Sequence, residues 1–444
     1  MQGRCNKPVT RAPLDCGENP WGGRILLRAR MRSAAMACAI AAALGGCASP
    51  GPQALQQSRL DYNEAVKVTS EEQLLLNIVR LRYGETPSSL AVSAIAAQFE
   101  RTQGLALSPF FVASGADVNR SFTSILPGAQ VGSADRPTMS FTPLDDQEFT
   151  RKLFTPMTLD GVVYLAKTTW PISTVFRLYL ENLNWVSNAQ TASGPTPQEP
   201  PVIEEFLRGI TALQALQDRG QVVFAQEERS EPQGSPLPAA ALSPRDLLDA
   251  AKDGYEYRQD AGAHEWTLYK KVTAPLLLVD PRAGYSPDMA VFASAFHLKP
   301  GLGRYEITQE ALNPFPSTYP PEGVTSLDLE TRSMLQALYY VSLGIEIPPE
   351  HQKREMLTLT REDSGAPYDW MRVMRGLFHV SWAPEGERPA KAQVAVRYRG
   401  FWFYIDETDQ GTKATFSLLM ELSRLELAGK AGPGPTLTLP IGGR

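Results

Sequence analysis

Histidine, cysteine, serine and the carboxylates do most enzymatic work, and in this chain their spacing rarely matches a catalytic pattern. The four histidines, His264, His297, His351 and His379, never fall within four residues of one another, so no helical face carries a zinc-binding pair. His264-Glu265 begins like a metalloprotease helix, but Leu268 stands where the second ligand belongs. Gly-x-Ser-x-Gly and Ser-x-x-Lys are both absent, which removes two serine-nucleophile signatures. Gly301-Leu302-Gly303 lacks the third glycine of a dinucleotide loop and predicts a turn. The residues imply no cofactor and no metal.

Acidic clusters invite a second reading. Asp145/Asp146, Glu204/Glu205 and Glu362/Asp363 could share general acid and base work, but acids at a helix start also answer the macrodipole. Asp406 to Gly411 resembles the first half of a calcium loop. Its twelfth position is Ser417 rather than the bidentate glutamate that calcium requires, so a turn leading into a helix is expected. Arg80 and Arg82 could bind an anion or simply be solvated. The run Tyr398-Arg399-Gly400-Phe401-Trp402-Phe403-Tyr404 alternates as a strand, placing Phe401 and Phe403 on one face and Trp402 and Tyr404 on the other. Trp402 and Tyr404 are the candidate binding surface; burial of both faces is the alternative.

Thiols are confined to one end. All four cysteines, Cys5, Cys16, Cys38 and Cys47, lie at or before position 47. Met31-Arg32-Ser33 precedes an uncharged apolar run from Ala34 to Leu44, the length of a signal-peptide core and too short for a bilayer span of about 20 residues. Leu44-Gly45-Gly46-Cys47 closes it. This combination resembles the lipobox of bacterial lipoproteins and is otherwise similar to uncharacterised Gram-negative lipoproteins. The resemblance implies that Cys47 is lipidated, carries palmitate or a similar acyl chain, and becomes the first mature residue. Ala48 in the next place implies an outer-membrane, periplasm-facing location. An ordinary secretory cut near Ala43 or Ala48 is the alternative. Residues 1–30 are long and proline-bearing for a signal leader, so translation is expected to start at Met31.

Removing residues 1–46 leaves 398 residues (444 − 46) and no thiol beyond Cys47, which excludes disulfides and a cysteine nucleophile downstream. The leader holds seven basic and two acidic residues. The remainder therefore has 43 − 7 = 36 basic and 48 − 2 = 46 acidic residues, a net of −10. With no Lys/Arg run, the composition disfavours a nucleic-acid partner, and none is expected.

The elements that would position these residues follow from periodicity and punctuation. Residues 47–58 read as a tether. Ser70 to Gln73 has the form of a capping box opening a helix from Leu74 to Tyr83. Leu90 to Phe141 breaks into short apolar runs. They could be membrane-inserting hairpins, as in oligomeric pore-forming lipoproteins, but they fall short of the 9–11 residues of a transmembrane strand and so predict surface hairpins. Helices are expected near 146–154, 159–167 and 172–183. Residues 188–202 and Glu228 to Leu242 read as linkers. Ser243-Pro244 and Ser286-Pro287 are cap-plus-proline helix starts. A helix from Thr331 to Leu343, strands at 377–382, 394–398 and 401–405, a Thr412-capped helix to Leu427 and a short strand at 436–439 complete the chain.

The expected class is α+β, a helical N-terminal part followed by an α/β sandwich-like C-terminal part with an antiparallel sheet. The expected divisions are 1–46, 47–58, 59–187, 188–202, 203–310 and 311–444. The expected function is a non-enzymatic scaffold or binding partner in an envelope assembly, with a membrane contact through Cys47 and a protein partner. A hydrolase whose site forms only in the fold is the alternative.

Overall fold

The computed structural model describes residues 50–88, 90–96, 99–111, 123–135, 138–143, 147–168, 170–259, 265–309 and 323–427. Cys47 and its lipobox, Asp145, Asp146, His264 and the strand expected at 436–439 lie outside them. A boundary between two compact units falls after Val66.

Helix α1 runs from Pro50 to Arg82, through the expected capping box at Ser70, so the cap is not used to start a helix. Its last turns bury Leu74, Leu75, Ile78 and Leu81, whose spacing predicts one buried stripe, and Val79 beside them. Next come β1 (Leu90–Ala96), β2 (Phe99–Phe111), β3 (Thr123–Asp135) and β4 (Thr138–Pro143). β2 and β3 each hold 13 residues, which corrects the short-run expectation. Gly, Ser and Pro within them look like punctuation in the sequence, yet the strands continue through.

Helices α2 (Gln147–Phe154), α3 (Leu159–Lys167) and α4 (Ile172–Tyr179) follow. Thr158 caps α3 by accepting from the Gly161 amide at 3.3 Å. α4 stops four residues short of the expected Leu183. Leu180 turns extended, and β5 (Leu180–Leu183) pairs with a strand far downstream. Tertiary pairing here overrides a helical spacing of apolar residues.

The central sheet draws on β5, β6 (Val186–Ser187), β7 (Val222–Pro238), β8 (Tyr255–Gln259), β9 (Glu265–Val279), β10 (Arg304–Thr308) and β11 (Ser326–Thr331). Its order is β6-β5-β11-β10-β9-β7, with β8 also on β9. Only the β10–β11 pair is parallel. One sheet thus takes strands from both sides of residues 188–202 and of the expected division at 310/311. β7 also extends through most of the expected second linker. It tolerates Pro232, Pro236 and Pro238 because it is an edge strand, where a missing N–H breaks no second ladder.

α5 (Glu204–Asp218) and α7 (Pro287–Ala295) pack closely: a Cβ added at Gly209 would meet the Phe296 ring and Ala295. Between them in sequence lies α6 (Pro244–Lys252), whose Ser243 cap and Asp246 form the reciprocal box. Ser286 likewise caps α7, as its sequence predicts.

The last third contains α8 (Met334–Ser342), α9 (Pro349–Lys353), α10 (Met371–Met374), β12 (Ser381–Pro384), β13 (Ala392–Tyr398), β14 (Phe401–Asp406) and α11 (Gln410–Leu427). The sheet β12-β14-β13 is wholly antiparallel. β13 and β14 join at Arg399 (φ +47°) and Gly400 (φ +84°), the two positive-φ residues that a tight twisted hairpin requires. α11 begins before Thr412. Asp409 provides the cap, accepting from the Thr412 amide at 3.0 Å and its hydroxyl at 2.7 Å. The α+β class is observed, with one apolar core running from Leu74 to Leu422.

Candidate functional site

The alternation of β14 sorts its residues as the sequence predicts. Phe403 and Ile405 are fully buried on the inner face, whereas Trp402 and Tyr404 are half-buried on the outer face. Across the sheet, Trp402 sits between Ala383 and Arg397, and Tyr404 between Ser381 and Ala395. The Arg397 guanidinium lies 4.7 Å from the Trp402 ring centroid. Trp402 Nε1 and an Arg397 amine both donate to the Gly386 carbonyl, each at 3.1 Å. The indole is therefore held by a cation and one loop carbonyl on a partly exposed, mixed aromatic and cationic face.

The inner face is anchored on the end of α1. Phe401 meets His351 edge-on at 4.9 Å and Trp382 at 5.4 Å, while Phe403 and Tyr398 stack around Tyr83. Tyr83 Oη and His351 Nδ1 are 2.6 Å apart, and His351 Nε2 is 3.2 Å from the Arg399 carbonyl. A carbonyl only accepts, so Nε2 carries the proton and Nδ1 accepts from the tyrosine hydroxyl; this is neutral histidine. Burial accordingly lowers the His351 pKa. Arg399 extends from the hairpin to Glu85 at 2.6 Å. Burial works against the Glu85 carboxylate, but the neighbouring Tyr398 hydroxyl and the hydrogen bond and charge of Arg399 outweigh it and lower its pKa. These contacts fix the sheet's height and tilt, and hence its outer face.

Two arginines give the framework polar fastenings with no signal in sequence. Arg332 is fully buried beside the α8 cap. It donates to Ser193 Oγ at 2.8 Å, to the carbonyls of Arg177 and Leu178 at 3.0 and 3.3 Å, and to the Asn188 carbonyl. Its guanidinium stacks 4.0 Å from the Tyr340 ring, and burial brings its pKa down to about 10. Segment 188–193, linker-like by composition, is thereby pinned into the core, with Asn188, Ala189 and Ala192 buried. Arg82, singled out in sequence with Arg80 as a possible anion ligand, is buried instead. It donates to Thr196 Oγ1 at 2.7 Å and to the Thr358 carbonyl at 3.3 Å, and burial brings it down to about 10.

Of the paired acids, Glu204, Glu205 and Glu362 have local partners. Glu204 lies in the first turn of α5 and accepts from the Ile203 amide at 3.3 Å, while Glu205 pairs with Arg208. Glu362 pairs with Arg372 at 3.3 Å. An open cleft of about 490 Å³ gathers Glu199, Glu204, Glu362 and Asp363 with Tyr368 and Arg372, but Glu199, Glu204 and Asp363 are solvent-exposed. Asp406 caps its own turn, accepting from the Thr408 amide at 2.8 Å and hydroxyl at 2.6 Å. Among the described residues no group of three His, Cys, Asp or Glu is placed to hold a metal ion. No helix among them is long and apolar enough to cross a membrane.

No protein-family model matches the chain, and no curated protein or solved structure matches it.

Proposed function

We propose that the chain is a lipid-anchored protein of the outer membrane, facing the periplasm, that acts as a non-enzymatic scaffold or binding partner in an envelope assembly. The observation that carries this reading is Leu44-Gly45-Gly46-Cys47 at the end of an Arg-led apolar run, with no other thiol downstream. The outer face of β14 supports it as the partner-facing surface: Trp402 and Tyr404 are partly exposed there, and Trp402 is held in place by Arg397 and the Gly386 carbonyl, the combination that favours an interface anchor.

Metabolic labelling with a palmitate analogue tests the anchor. The wild-type chain is expected to label and Cys47→Ser to lose the label; a mutant that labels normally overturns the assignment. Pull-down from detergent-solubilised envelope tests the surface. A partner retained by the wild type and lost from a folded Trp402→Ala/Tyr404→Ala variant supports it, whereas identical retention by both removes those residues from the interface.

A further inference from the structure

Arg82 ends α1 with a guanidinium that the fold uses only in part. The residue is 4% exposed, and both of its hydrogen bonds leave from Nη1, to Thr196 Oγ1 and the Thr358 carbonyl. Its Nε is buried with no partner. Among the described residues no carboxylate offsets the charge: burial lowers its pKa, and only the Tyr83 hydroxyl works the other way. A buried cation without a counter-ion is costly, and the planar fork of arginine is suited to a carboxylate or phosphate.

The unused part of that fork has a direction. In a planar guanidinium the Nε and Nη2 hydrogens share one edge, which points directly away from Nη1. Thr196 and Thr358, the partners of Nη1, line one cleft of about 350 Å³. Arg82 also lines a second cleft of about 350 Å³, which neither threonine reaches. The Nε–Nη2 edge therefore turns from the first cleft towards the second. Walls of the second cleft include Ile345, Ile347, Leu359, Met371, Trp370 and Trp382. Trp370 is 7% exposed and its Nε1 is buried without a partner, so a further unpaired N–H donor belongs to the same lining. Buried N–H groups are nearly always paired, so two on one cleft point to an acceptor from outside the chain.

We propose that this second cleft binds a small monocarboxylate with an apolar body, the Nε–Nη2 edge of Arg82 holding the carboxylate by two parallel hydrogen bonds. The volume lies in the lower part of the range of about 300–1,000 Å³ for small-molecule sites, and the apolar walls with few polar donors have the usual composition of one. Two exposed acids limit the charge of the occupant. Glu346, 2.8 Å from His379 Nε2, and Asp369, whose Oδ1 accepts from the Met371 amide at 2.9 Å, also line the cleft. Their repulsion disfavours a dianion such as phosphate and favours a single carboxylate. This goes beyond the scaffold reading and does not depend on acylation of Cys47.

The experiment titrates the full chain by calorimetry with three probes: octanoate, its uncharged isostere octanamide, and inorganic phosphate. Octanoate is expected to bind saturably, octanamide at least tenfold more weakly, and phosphate at least tenfold more weakly again than octanoate. Arg82→Lys keeps the charge but loses the fork, and should weaken octanoate at least tenfold while leaving octanamide unchanged. Because Arg82 also fastens Thr196 and Thr358, that variant can unfold. Ile347→Trp, at a half-buried wall position, narrows the cleft and should weaken octanoate at least tenfold with an unchanged melting transition. No saturable binding of octanoate, equal affinity for octanoate and octanamide, phosphate binding as tightly as octanoate, or wild-type affinity in Ile347→Trp overturns the site. The probe comparison on the wild-type chain decides the matter even if Arg82→Lys does not fold. Loss of palmitate labelling would overturn only the anchor.

Discussion

Tyr83 Oη donates to His351 Nδ1 across 2.6 Å and 268 residues of sequence, tying the end of α1 to α9 beneath the C-terminal sheet. Because His351 also donates to the Arg399 carbonyl, one neutral imidazole joins three elements.

That contact predicts a pH dependence. Burial lowers the folded pKa of His351 below its ordinary value of 6.5, so the unfolded chain takes up its proton first as pH falls. The contribution is fully present above pH 6.5 and is lost as pH drops from there towards the folded pKa. Urea midpoints measured from pH 8 to pH 5 should fall more steeply for the wild type than for His351→Gln. Parallel curves would show that His351 does not titrate this way.

Arg332→Met should destabilise the fold by about 3 kcal/mol or more, since it strands Ser193 Oγ and main-chain carbonyls in the core. Arg332→Lys should recover only part of this, because an ammonium cannot reproduce the planar fork or stack on Tyr340. Denaturant unfolding of the three proteins decides the order; a Met variant as stable as wild type contradicts it.

Gly209→Ala should cost about 1–3 kcal/mol, because the new methyl overlaps the Phe296 ring and Ala295 where α5 and α7 meet. Gly303→Ala is the control: open space surrounds that position, so a change within about 0.5 kcal/mol is expected. Equal melting temperatures for the two variants would remove the close approach as the cause.

Arg397→Ala should free the Trp402 ring without unfolding the protein, since the cation, its Gly386 contact and the indole all lie on the outer face. Tryptophan fluorescence quenching by acrylamide should rise, with the thermal transition shifted by less than about 1 kcal/mol. Unchanged quenching would place the guanidinium elsewhere in solution.

Local rules read well where the determining residues are neighbours. Ser243-Pro244 and Ser286-Pro287 start helices because a hydroxyl acceptor and a fixed φ act within one turn. Gly400 likewise marks its hairpin. The reading failed where distant partners decide. β5 is a strand because β11 lies beside it, and residues 188–193 are core because Arg332 reaches them. Prolines normally mark a break, but β7 carries three because its edge has no second ladder to lose. The alternation of Trp402 and Tyr404 was legible from a period of two. The support beneath it, from Tyr83 and His351, had no sequence signal at a separation of 268 residues.

The pairing of β5 with β11 also sets an order of events in time. The Asp328 amide donates to the Asn184 side chain across 144 residues, so the β5–β11 pairing cannot form until nearly three quarters of the chain has been synthesised. Contacts of that separation slow folding because a long loop must close before any of them is rewarded. A nascent chain therefore carries an incomplete central sheet through most of its synthesis.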